Sequence, residues 1–283
     1  MSITGHAKLA GIAGWPVGHS LSPRLHGFWI AEHKLDAAYV PLPVRREDFA
    51  ATVALLPKLG FRGLNVTIPH KEAAFALATE HDEAAKATGA VNTLVFEDGR
   101  IIGKNTDVAG VVGMFHDAGI ASLADKNVLV YGAGGAARAV VFALTELKAA
   151  NVQIHNRTRA KAEDLAKRFD GRNGTRVEVA GKAKKTNVIV NATSVGMATD
   201  GNRASAETDS YFMVPKGDVV ADIVYRPLET PFLANYRARG AKTIDGLGML
   251  LHQAVPAFAA WFGIEPKVTP ALRAHMLDAL KGG

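Results

Sequence analysis

The chain has 283 residues, of which 48% are hydrophobic and 21% charged, with a formal net charge of +6 and no cysteine. This length suits two modest domains or one large one, and the lack of cysteine excludes disulfides and thiolate metal sites. The positive charge is scattered, and its densest cluster, Lys182, Lys184 and Lys185, has no aromatic neighbours. A solvated face therefore explains it better than nucleic-acid binding. A basic balance also suits a small anionic substrate and a phosphorylated cofactor.

The location of the protein is predicted from what the sequence lacks. No basic segment followed by an uninterrupted apolar run begins the chain, so no signal peptide is predicted. The apolar run over 247–264 contains His252, Gln253 and Pro256, which favours a packed helix over a membrane span. The ten histidines show no metal-ligand spacing, so no metal is expected. These features predict a cytoplasmic monomer or homodimer that binds neither membrane nor nucleic acid.

Two serines follow the first predicted strand, at residues 8–14. Ser22 precedes Pro23, which is typical of a helix start with Ser22 as the N-cap. Ser20 has no such structural role. Two hydroxyls beside a helix N-terminus also suit a carboxylate ligand, because the donors and the helix dipole point the same way.

The next segments predict a strand at 37–43, an amphipathic helix at 49–59, and a strand that leads through a loop into another helix. Asn65 and Thr67 are two apart and share one face of that strand. Lys71 falls at the start of the helix, where the dipole disfavours a cation. A solvated lysine is the ordinary interpretation, and its placement against the dipole hints at another use.

A hairpin is predicted next, with strands at 89–96 and 100–105 joined by Glu97-Asp98-Gly99, a typical turn sequence. Asp107 then precedes a predicted helix at 108–115 and is a natural N-cap.

A short buried strand at 127–131 is followed by a glycine-rich turn and an apolar helix. The turn has the pattern G-x-G-x-x-A and comprises Gly132, Ala133, Gly134, Gly135, Ala136 and Ala137. In dinucleotide-binding folds the first glycine permits the tight turn, the second lets the backbone approach a pyrophosphate, and the small third residue allows close packing. The helix N-terminus also offers free N–H groups to phosphate. An ordinary glycine-rich turn is the alternative, and the strand and helix on either side favour the cofactor site.

The second strand of this unit, at 152–155, ends in Asn156, Arg157, Thr158 and Arg159. In a dinucleotide fold this position lies beside the adenosine ribose, where an acidic residue would bind the ribose hydroxyls. No acid is present, and Arg157 and Arg159 can bind a 2′-phosphate through charge-assisted hydrogen bonds. This pattern predicts NADP as the cofactor; a basic helix start on the surface is the alternative.

The remaining chain continues the alternation of strands and helices. Strands are predicted at 176–179, 187–191, 218–224 and 241–244, and helices at 160–169, 249–262 and 269–280. The loop after 187–191 follows a strand end and is expected to line the cofactor crevice; its candidate residues are Thr193, Ser194, Val195 and Met197. The long polar segment at 199–214 is interpreted as a lid, and Pro256 is expected to kink its helix.

Several ordered motifs resemble those of the shikimate dehydrogenase family, the NADP-dependent enzymes of the shikimate pathway. They are GHSLSP at 18–23, NVTIPHK at 65–71, GAVNT at 89–93, GKNTD at 103–107, the glycine-rich turn, NRT at 156–158, NAT at 191–193 and MLLHQ at 249–253.

The resemblance implies an α/β fold of two domains. A substrate-binding and catalytic domain would comprise residues 1–107 and the C-terminal helices at 247–283. A Rossmann-type NADP domain at 108–246 would be inserted between them, with the active site in the interdomain cleft. The implied reaction is the reversible reduction of 3-dehydroshikimate to shikimate by NADPH, a step of aromatic amino acid biosynthesis.

Lys71 and Asp107 correspond to the catalytic pair of that family. Hydride transfer to a ketone leaves charge on oxygen, which a cation with a proton to give would stabilise. Which of the two donates the proton stays open, because the pair can titrate as a unit.

The resemblance also assigns binding residues. The substrate carboxylate would be held by Ser20, Ser22 and Tyr225, and the ring hydroxyls or pocket by Asn65, Thr67, Asn92 and Gln253. The nicotinamide side would be approached by Asp222, Val224, Gly246 and Met249.

One residue departs from the family pattern. The family often has Tyr-Asn-Pro where this chain has Tyr225, Arg226 and Pro227. Because Tyr225 is kept, we expect Arg226 to have only a small effect on the site. Two alternatives are open. A quinate/shikimate dehydrogenase would accept a broader range of substrates, and a non-catalytic nucleotide-sensing regulator would need no pair of Lys71 and Asp107.

Overall fold

A computed structural model describes residues 3–181, 186–197 and 217–281. The chain divides into two compact units, the first comprising Met1–Thr106 with Gln253–Gly283 and the second Asp107–His252. The predicted lid at 199–214 and the lysine cluster at 182–185 lie outside the described residues.

The first unit is built on a mixed sheet. Its strands are β1 Lys8–Gly14, β2 Ala37–Pro43, β3 Phe61–Val66, β4 Glu80–His81, β5 Thr93–Glu97 and β6 Arg100–Lys104. The order across the sheet is β2-β1-β3-β5-β6-β4. β1 lies parallel to β2 and β3, whereas β5 runs antiparallel to both β3 and β6. Its helices include α1 Ser22–Glu32, α2 Phe49–Leu55, α3 Lys71–Leu77 and α4 Glu83–Thr88.

The second unit contains an all-parallel sheet. Its strands are β7 Asn127–Tyr131, β8 Asn151–His155, β9 Arg176–Val179, β10 Val188–Asn191, β11 Val219–Asp222 and β12 Lys242–Ile244. The order is β12-β11-β10-β7-β8-β9. This is the doubly wound order, in which the direction of winding reverses between β7 and β10. Its helices include α5 Asp107–Asp117, α6 Gly135–Glu146, α7 Arg159–Phe169 and α8 Pro231–Ala238.

Two helices end the described chain, α9 Leu247–Phe262 and α10 Pro270–Lys281. The later part of α9 packs on the first sheet, where the Trp261 indole donates to the Leu94 carbonyl at 3.0 Å. Gly63 makes room for that indole, because a Cβ there would overlap its nitrogen. No helix within the described ranges is long and apolar enough to cross a membrane.

The predicted α/β class with an inserted Rossmann-type unit is confirmed. The second unit ends at His252 rather than at residue 246, because the first turn of α9 packs within it: a Cβ on Gly248 would lie 3.4 Å from the Met114 Cα. The roles assigned to these segments, the cleft between the domains and the kink at Pro256 stay predictions.

Some local predictions differ from the structure. The strand predicted at 89–96 begins only at Thr93, because Gly89, at φ +64°, ends α4. That helix was not predicted, although Asp82 caps it by accepting from the Ala85 N–H at 2.7 Å. The helix predicted at 49–59 is α-helical to Leu55 and continues as a 3₁₀ turn, since Pro57 lacks the N–H that an α-helical turn requires.

Candidate active site

The segments that carry several predicted substrate residues meet at one edge of the first sheet. β1 and β3 are parallel, so their carboxyl ends meet there. β5 begins at the same edge, with Thr93 opposite Asn65, and β6 ends there, with Lys104 opposite Thr93. The segments that follow β1, β3 and β6 and precede β5 are therefore neighbours.

The start of α1 differs from its prediction. Ser22 is the first helical residue, and its backbone N–H donates to the Ser20 Oγ at 3.3 Å. The interpretation of Ser22 as the capping side chain, and of Ser20 as lacking a structural role, was therefore wrong. The reason is that Pro23 occupies the second helical position rather than the first. Ser22 is buried.

The Asn65 side chain is held by three partners. The Tyr39 hydroxyl donates to its Oδ1 at 2.6 Å. Its Nδ2 donates to the Thr93 Oγ1 at 3.0 Å and to the Asn92 carbonyl at 3.3 Å. Both amide hydrogens and one oxygen lone pair are thus used, so Asn65 retains one acceptor position for a ligand.

Asn92 fixes the residue that precedes Asp107. Its Oδ1 accepts from the Thr106 N–H at 2.8 Å, and its Nδ2 donates to the Thr106 Oγ1 at 3.0 Å. Asp107 is the first helical residue of α5, one position inside the helix from its predicted place as N-cap, and it is buried. A carboxylate in the first turn is favoured by the helix dipole.

Lys71 begins α3, as predicted. Its carbonyl accepts from the Val91 N–H at 3.0 Å, which connects the helix start to the segment that carries Asn92. The preceding His70 is buried, stacks on Phe49 with ring centroids 4.3 Å apart, and places its Nε2 2.7 Å from the Val44 carbonyl oxygen. The backbone that carries Lys71 is therefore firmly positioned.

Thr67 directly follows β3. Its N–H donates to the Ala13 carbonyl at 2.9 Å, so it continues the strand alternation that places it on the same face as Asn65. Gly14 lies against the Thr67 methyl group, where a Cβ would overlap it. A glycine at the end of β1 is what allows Thr67 to lie there.

The predicted cofactor residues follow the strands of the second sheet, whose carboxyl ends share one edge. Gly132, after β7, has φ +111°, and a Cβ there would lie 2.9 Å from the Ala192 carbonyl, after β10. The glycine-rich turn and the loop at 192–197 therefore meet at the switch point of the sheet, where doubly wound folds bind ligands. At the N-terminus of α6, the N-cap residue Gly134 provides no side-chain cap.

The segment after β8 carries two arginines that differ in their ion pairing. The Asn156 Nδ2 donates to the Thr158 carbonyl at 2.9 Å, which shapes the turn. Arg159 is exposed and pairs with Glu163, four residues along α7, with Nε 2.8 Å from Oε1. Arg157 is exposed and has no ion pair in the described part of the chain. It is therefore the more available phosphate ligand.

Asn191 and Asp222 shape the loop after β10. The Asn191 Oδ1 accepts from the Thr193 N–H at 3.1 Å, and its Nδ2 donates to the Val195 carbonyl at 3.1 Å and to the Asp222 Oδ1 at 3.0 Å. Asp222 also accepts from the Thr230 hydroxyl at 2.7 Å and from the Val224 N–H at 3.0 Å. Its side chain is 0% exposed, and burial raises its pKa. Its carboxylate is thus bonded within the unit and positions the backbone that carries Val224.

The other predicted site residues differ in their burial and contacts. Gly246 packs on the backbone after β11, because a Cβ there would lie 2.7 Å from the Val224 carbonyl oxygen. Burial raises the pKa of the Tyr225 hydroxyl. Gln253 is buried at the start of the C-terminal part of the first unit. Met249 and Val195 are half-buried, Ala133 is buried, and Ser194, Met197, Gly134 and Gly135 are exposed.

Several supporting residues were missed by the sequence predictions. Three of them, Tyr39, Thr106 and Thr230, hydrogen-bond to predicted site residues. Their partners are Asn65, Asn92 and Asp222. Tyr39 lies in a strand whose apolar pattern resembles any buried strand, so no local signal marks it. Thr230 was identifiable, because a threonine before Pro231 is typical of a helix start, and it does cap α8 by accepting from the Leu233 N–H at 3.2 Å. No group of three histidines and acids in the described residues could hold a metal ion.

The doubly wound sheet with a glycine-rich turn at its switch point defines a dinucleotide-binding protein. The lysine, hydroxyl and amide groups at the edge of the other sheet suit a small polar ligand. Together these features place the chain among the dinucleotide-dependent oxidoreductases.

Comparisons with known proteins specify the family. Residues 12–94 match the shikimate dehydrogenase substrate binding domain, residues 116–214 the shikimate/quinate 5-dehydrogenase family, and residues 246–281 the shikimate 5′-dehydrogenase C-terminal domain. The chain is 49% identical to a shikimate dehydrogenase (NADP(+)) of Acidiphilium cryptum, over 100% of both chains.

Solved structures agree. A shikimate dehydrogenase in complex with NADP+ is 36% identical, with a TM-score of 0.86 and coverage of 99% of this chain and 98% of that one. Shikimate 5-dehydrogenase from Thermus thermophilus, in complex with NADP(H) and shikimate, is 35% identical, with a TM-score of 0.81 and coverage of 97% and 98%. The chain belongs to the shikimate dehydrogenase family.

Proposed function

We propose that this chain catalyses the reversible reduction of 3-dehydroshikimate to shikimate with NADPH. The observation that carries the proposal is the polar edge of the first sheet, where Ser22, Asn65 and Asn92 lie with Lys71 at the start of α3. Donors and acceptors of this kind suit a small ring that bears a carboxylate and several hydroxyls. The family to which the chain belongs supports the same substrate.

The fit of the second unit to NADP rests on its glycine-rich turn. A Cβ on Gly134 would meet nothing within 4 Å, so open space lies beside the first amides of α6. A pyrophosphate held there would accept hydrogen bonds from those amides and benefit from the helix dipole. The turn comprises Gly132, Ala133, Gly134, Gly135 and Ala136. Arg157 would bind the 2′-phosphate, with Asn156, Thr158 and Arg159 beside it.

The chemistry follows from the proton balance at the ketone. NADPH supplies the hydride when it is bound. The ketone carbon gains that hydride and its oxygen gains negative charge. The Lys71 ammonium stabilises this charge, and the pair of Lys71 and Asp107 delivers a proton to the oxygen. By the family resemblance, Asp107 would orient the ammonium, and in the reverse direction the pair would take the proton back. Roles for Ser20, Thr67, Tyr225 and Gln253 in substrate binding, and for Thr193, Ser194, Val195, Met197, Val224, Gly246 and Met249 near the cofactor, follow from the family resemblance.

The alternatives receive less support. A nucleotide-sensing regulator would need neither Lys71 nor Asp107, and both are present. A broader specificity that includes quinate is the closer rival.

The absence of cysteine in the sequence and the small anionic substrate support a cytoplasmic enzyme without a nucleic-acid or membrane partner.

The decisive experiment is a spectrophotometric assay of the purified protein with shikimate and quinate, each with NADP and NAD. Shikimate with NADP should give the highest kcat/KM of the four combinations. Equal kcat/KM for quinate would favour the broader dehydrogenase. Absence of shikimate oxidation with either cofactor would refute the proposal.

A further inference from the structure

We infer that Tyr39 is a positioning residue for the substrate, acting through the side chain of Asn65. The inference rests on the proposed function, since it concerns how the same site holds its substrate. Tyr39 lies in β2, apart from the motifs that carry the family resemblance.

The Tyr39 hydroxyl contacts a polar side chain of another strand of the sheet. It donates to the Asn65 Oδ1, at the end of β3, at 2.6 Å. Tyr39 is buried, with 8% of its surface exposed. One buried hydroxyl therefore holds a side chain that is assigned to the ring of the substrate.

The ring of Tyr39 is held rigidly enough to serve this purpose. It stacks on His26 of α1, with centroids 4.1 Å apart and planes 10° apart. His26 is 0% exposed and stacks in turn on Phe258, at 5.9 Å and 13°. A hydroxyl carried on a packed, planar ring has little freedom to follow a displaced partner, so it determines where that partner rests.

The hydrogen bond from Tyr39 also stabilises the orientation in which Asn65 presents its oxygen. With the Tyr39 proton directed at Oδ1, the Nδ2 group faces Thr93 and the Asn92 carbonyl. The remaining lone pair of Oδ1 can only accept, so it suits a ligand hydroxyl rather than a carbonyl. The Asn92 carbonyl can only accept and holds Nδ2 on the same side, so Tyr39 reinforces an orientation that favours a hydroxyl-bearing ring.

The test is Tyr39→Phe, which keeps the ring and removes only the oxygen. The KM for shikimate should rise about tenfold, as expected for a buried polar network that loses one charge-neutral bond and its geometry. The kcat should change by less than about twofold, and the KM for NADP should not change, because the chemical groups and the cofactor residues are untouched. Tyr236→Phe is the matched control: it removes a buried tyrosine hydroxyl from the core of the second unit and should leave the KM for shikimate unchanged.

A second pair of variants separates positioning from a general effect on folding. Thr93→Val removes another partner of Asn65 and should also raise the KM for shikimate. In an Asn65→Ala background, Tyr39→Phe should have little further effect, so the two KM changes should be less than multiplicative. Fully multiplicative changes would overturn the inference.

The outcomes also distinguish this inference from the proposed function. If the wild-type protein oxidises shikimate and Tyr39→Phe keeps the wild-type KM, the inference is overturned and the function stands. A Tyr39→Phe variant with a lower melting temperature and a lower kcat but an unchanged KM for shikimate would also overturn the inference. That pattern is typical of a purely structural residue. If the wild-type protein does not act on shikimate, the proposed function itself fails.

Discussion

The side-chain amide of Asn191 donates to the fully buried carboxylate of Asp222, with Nδ2 3.0 Å from Oδ1. The two residues end neighbouring parallel strands, β10 and β11, so this bond joins the two loops that leave the sheet beside its switch point. The loop after β10 is further held by bonds from Thr193 to the Asn191 Oδ1. The shape of the predicted cofactor loop therefore depends on one buried acid.

Asp222→Asn should loosen this loop. The carboxylate accepts from Asn191, Val224 and Thr230, and an amide would place a donor against one of those donors, at a cost of about 1–3 kcal/mol. The melting temperature should fall and the KM for NADP should rise, while the KM for shikimate changes less. Asp164→Asn, at an exposed position of α7, is the control. Unchanged NADP kinetics in Asp222→Asn would show that the acid does not govern the loop.

The glycine-rich turn allows backbone and cofactor effects to be separated. Gly132→Ala should destabilise the protein by about 1–3 kcal/mol, because its φ is +111° and the new Cβ would lie 2.9 Å from the Ala192 carbonyl oxygen. Gly134→Ala should fold normally, since its Cβ would meet nothing within 4 Å. Its methyl group would stand where a pyrophosphate approaches, so NADP binding should weaken on the order of tenfold or more.

Thermal unfolding and NADP titration of both variants check this contrast. The idea would be contradicted if Gly134→Ala bound NADP as tightly as the wild type, or if Gly132→Ala kept the wild-type melting temperature.

Arg157→Ala should weaken NADP binding far more than NAD binding. A charge-assisted bond to the 2′-phosphate is worth about 1.5–3 kcal/mol, which corresponds to about 10–100-fold in affinity. Arg159→Ala should have a smaller effect, because Arg159 already pairs with Glu163. Arg168→Ala, exposed near the end of the same helix, controls for the loss of one positive charge. Equal losses for both cofactors in Arg157→Ala would rule out the phosphate contact.

Lys71→Ala should lower kcat for shikimate oxidation by about 10²–10⁴-fold, the usual contribution of a positioned proton donor. NADP binding, measured without substrate, should stay at the wild-type level. Asp107→Asn should lower kcat as well, and the double variant should be little worse than the poorer single one, because residues that act as a unit are not additive. Lys58→Ala removes an exposed lysine from the same unit and should keep wild-type kinetics. A wild-type rate in Lys71→Ala would refute the mechanism.

His26 predicts a pH dependence of stability. Burial lowers its pKa from 6.5 to about 3. The native state therefore binds fewer protons than the unfolded state between these two values, and stability is lost as the pH falls through this window. The contribution is about 1.4 kcal/mol per pH unit well below 6.5.

The measurement is the free energy of unfolding from urea titrations at several pH values between about 7 and 4. His26→Phe should remove the contribution of His26 to the slope, whatever its effect on stability at neutral pH. His116→Gln, at an exposed position of α5, should leave the slope unchanged. If the slopes of wild type and His26→Phe were equal, His26 would be protonated in the native state.

The sequence determined the features that arise from neighbouring residues. The hairpin formed at Asp98 and Gly99, both with positive φ, because that pair suits a two-residue turn. The strand, glycine-rich turn and helix from 127 onward followed from apolar content and from the conformational needs of the turn. The motifs of the family resemblance likewise lie within short stretches. Local propensity and turn chemistry act over a few residues, so they are visible without a fold.

Only the tertiary structure decided which polar groups hold one another. Tyr39 and Asn65 are 26 residues apart, and Asn191 and Asp222 are 31 apart, so neither bond has a local signature. A buried polar side chain must find its partner wherever the sheet order places one. That order is fixed by the packing of the whole unit, and it was therefore beyond what any single stretch of sequence could show.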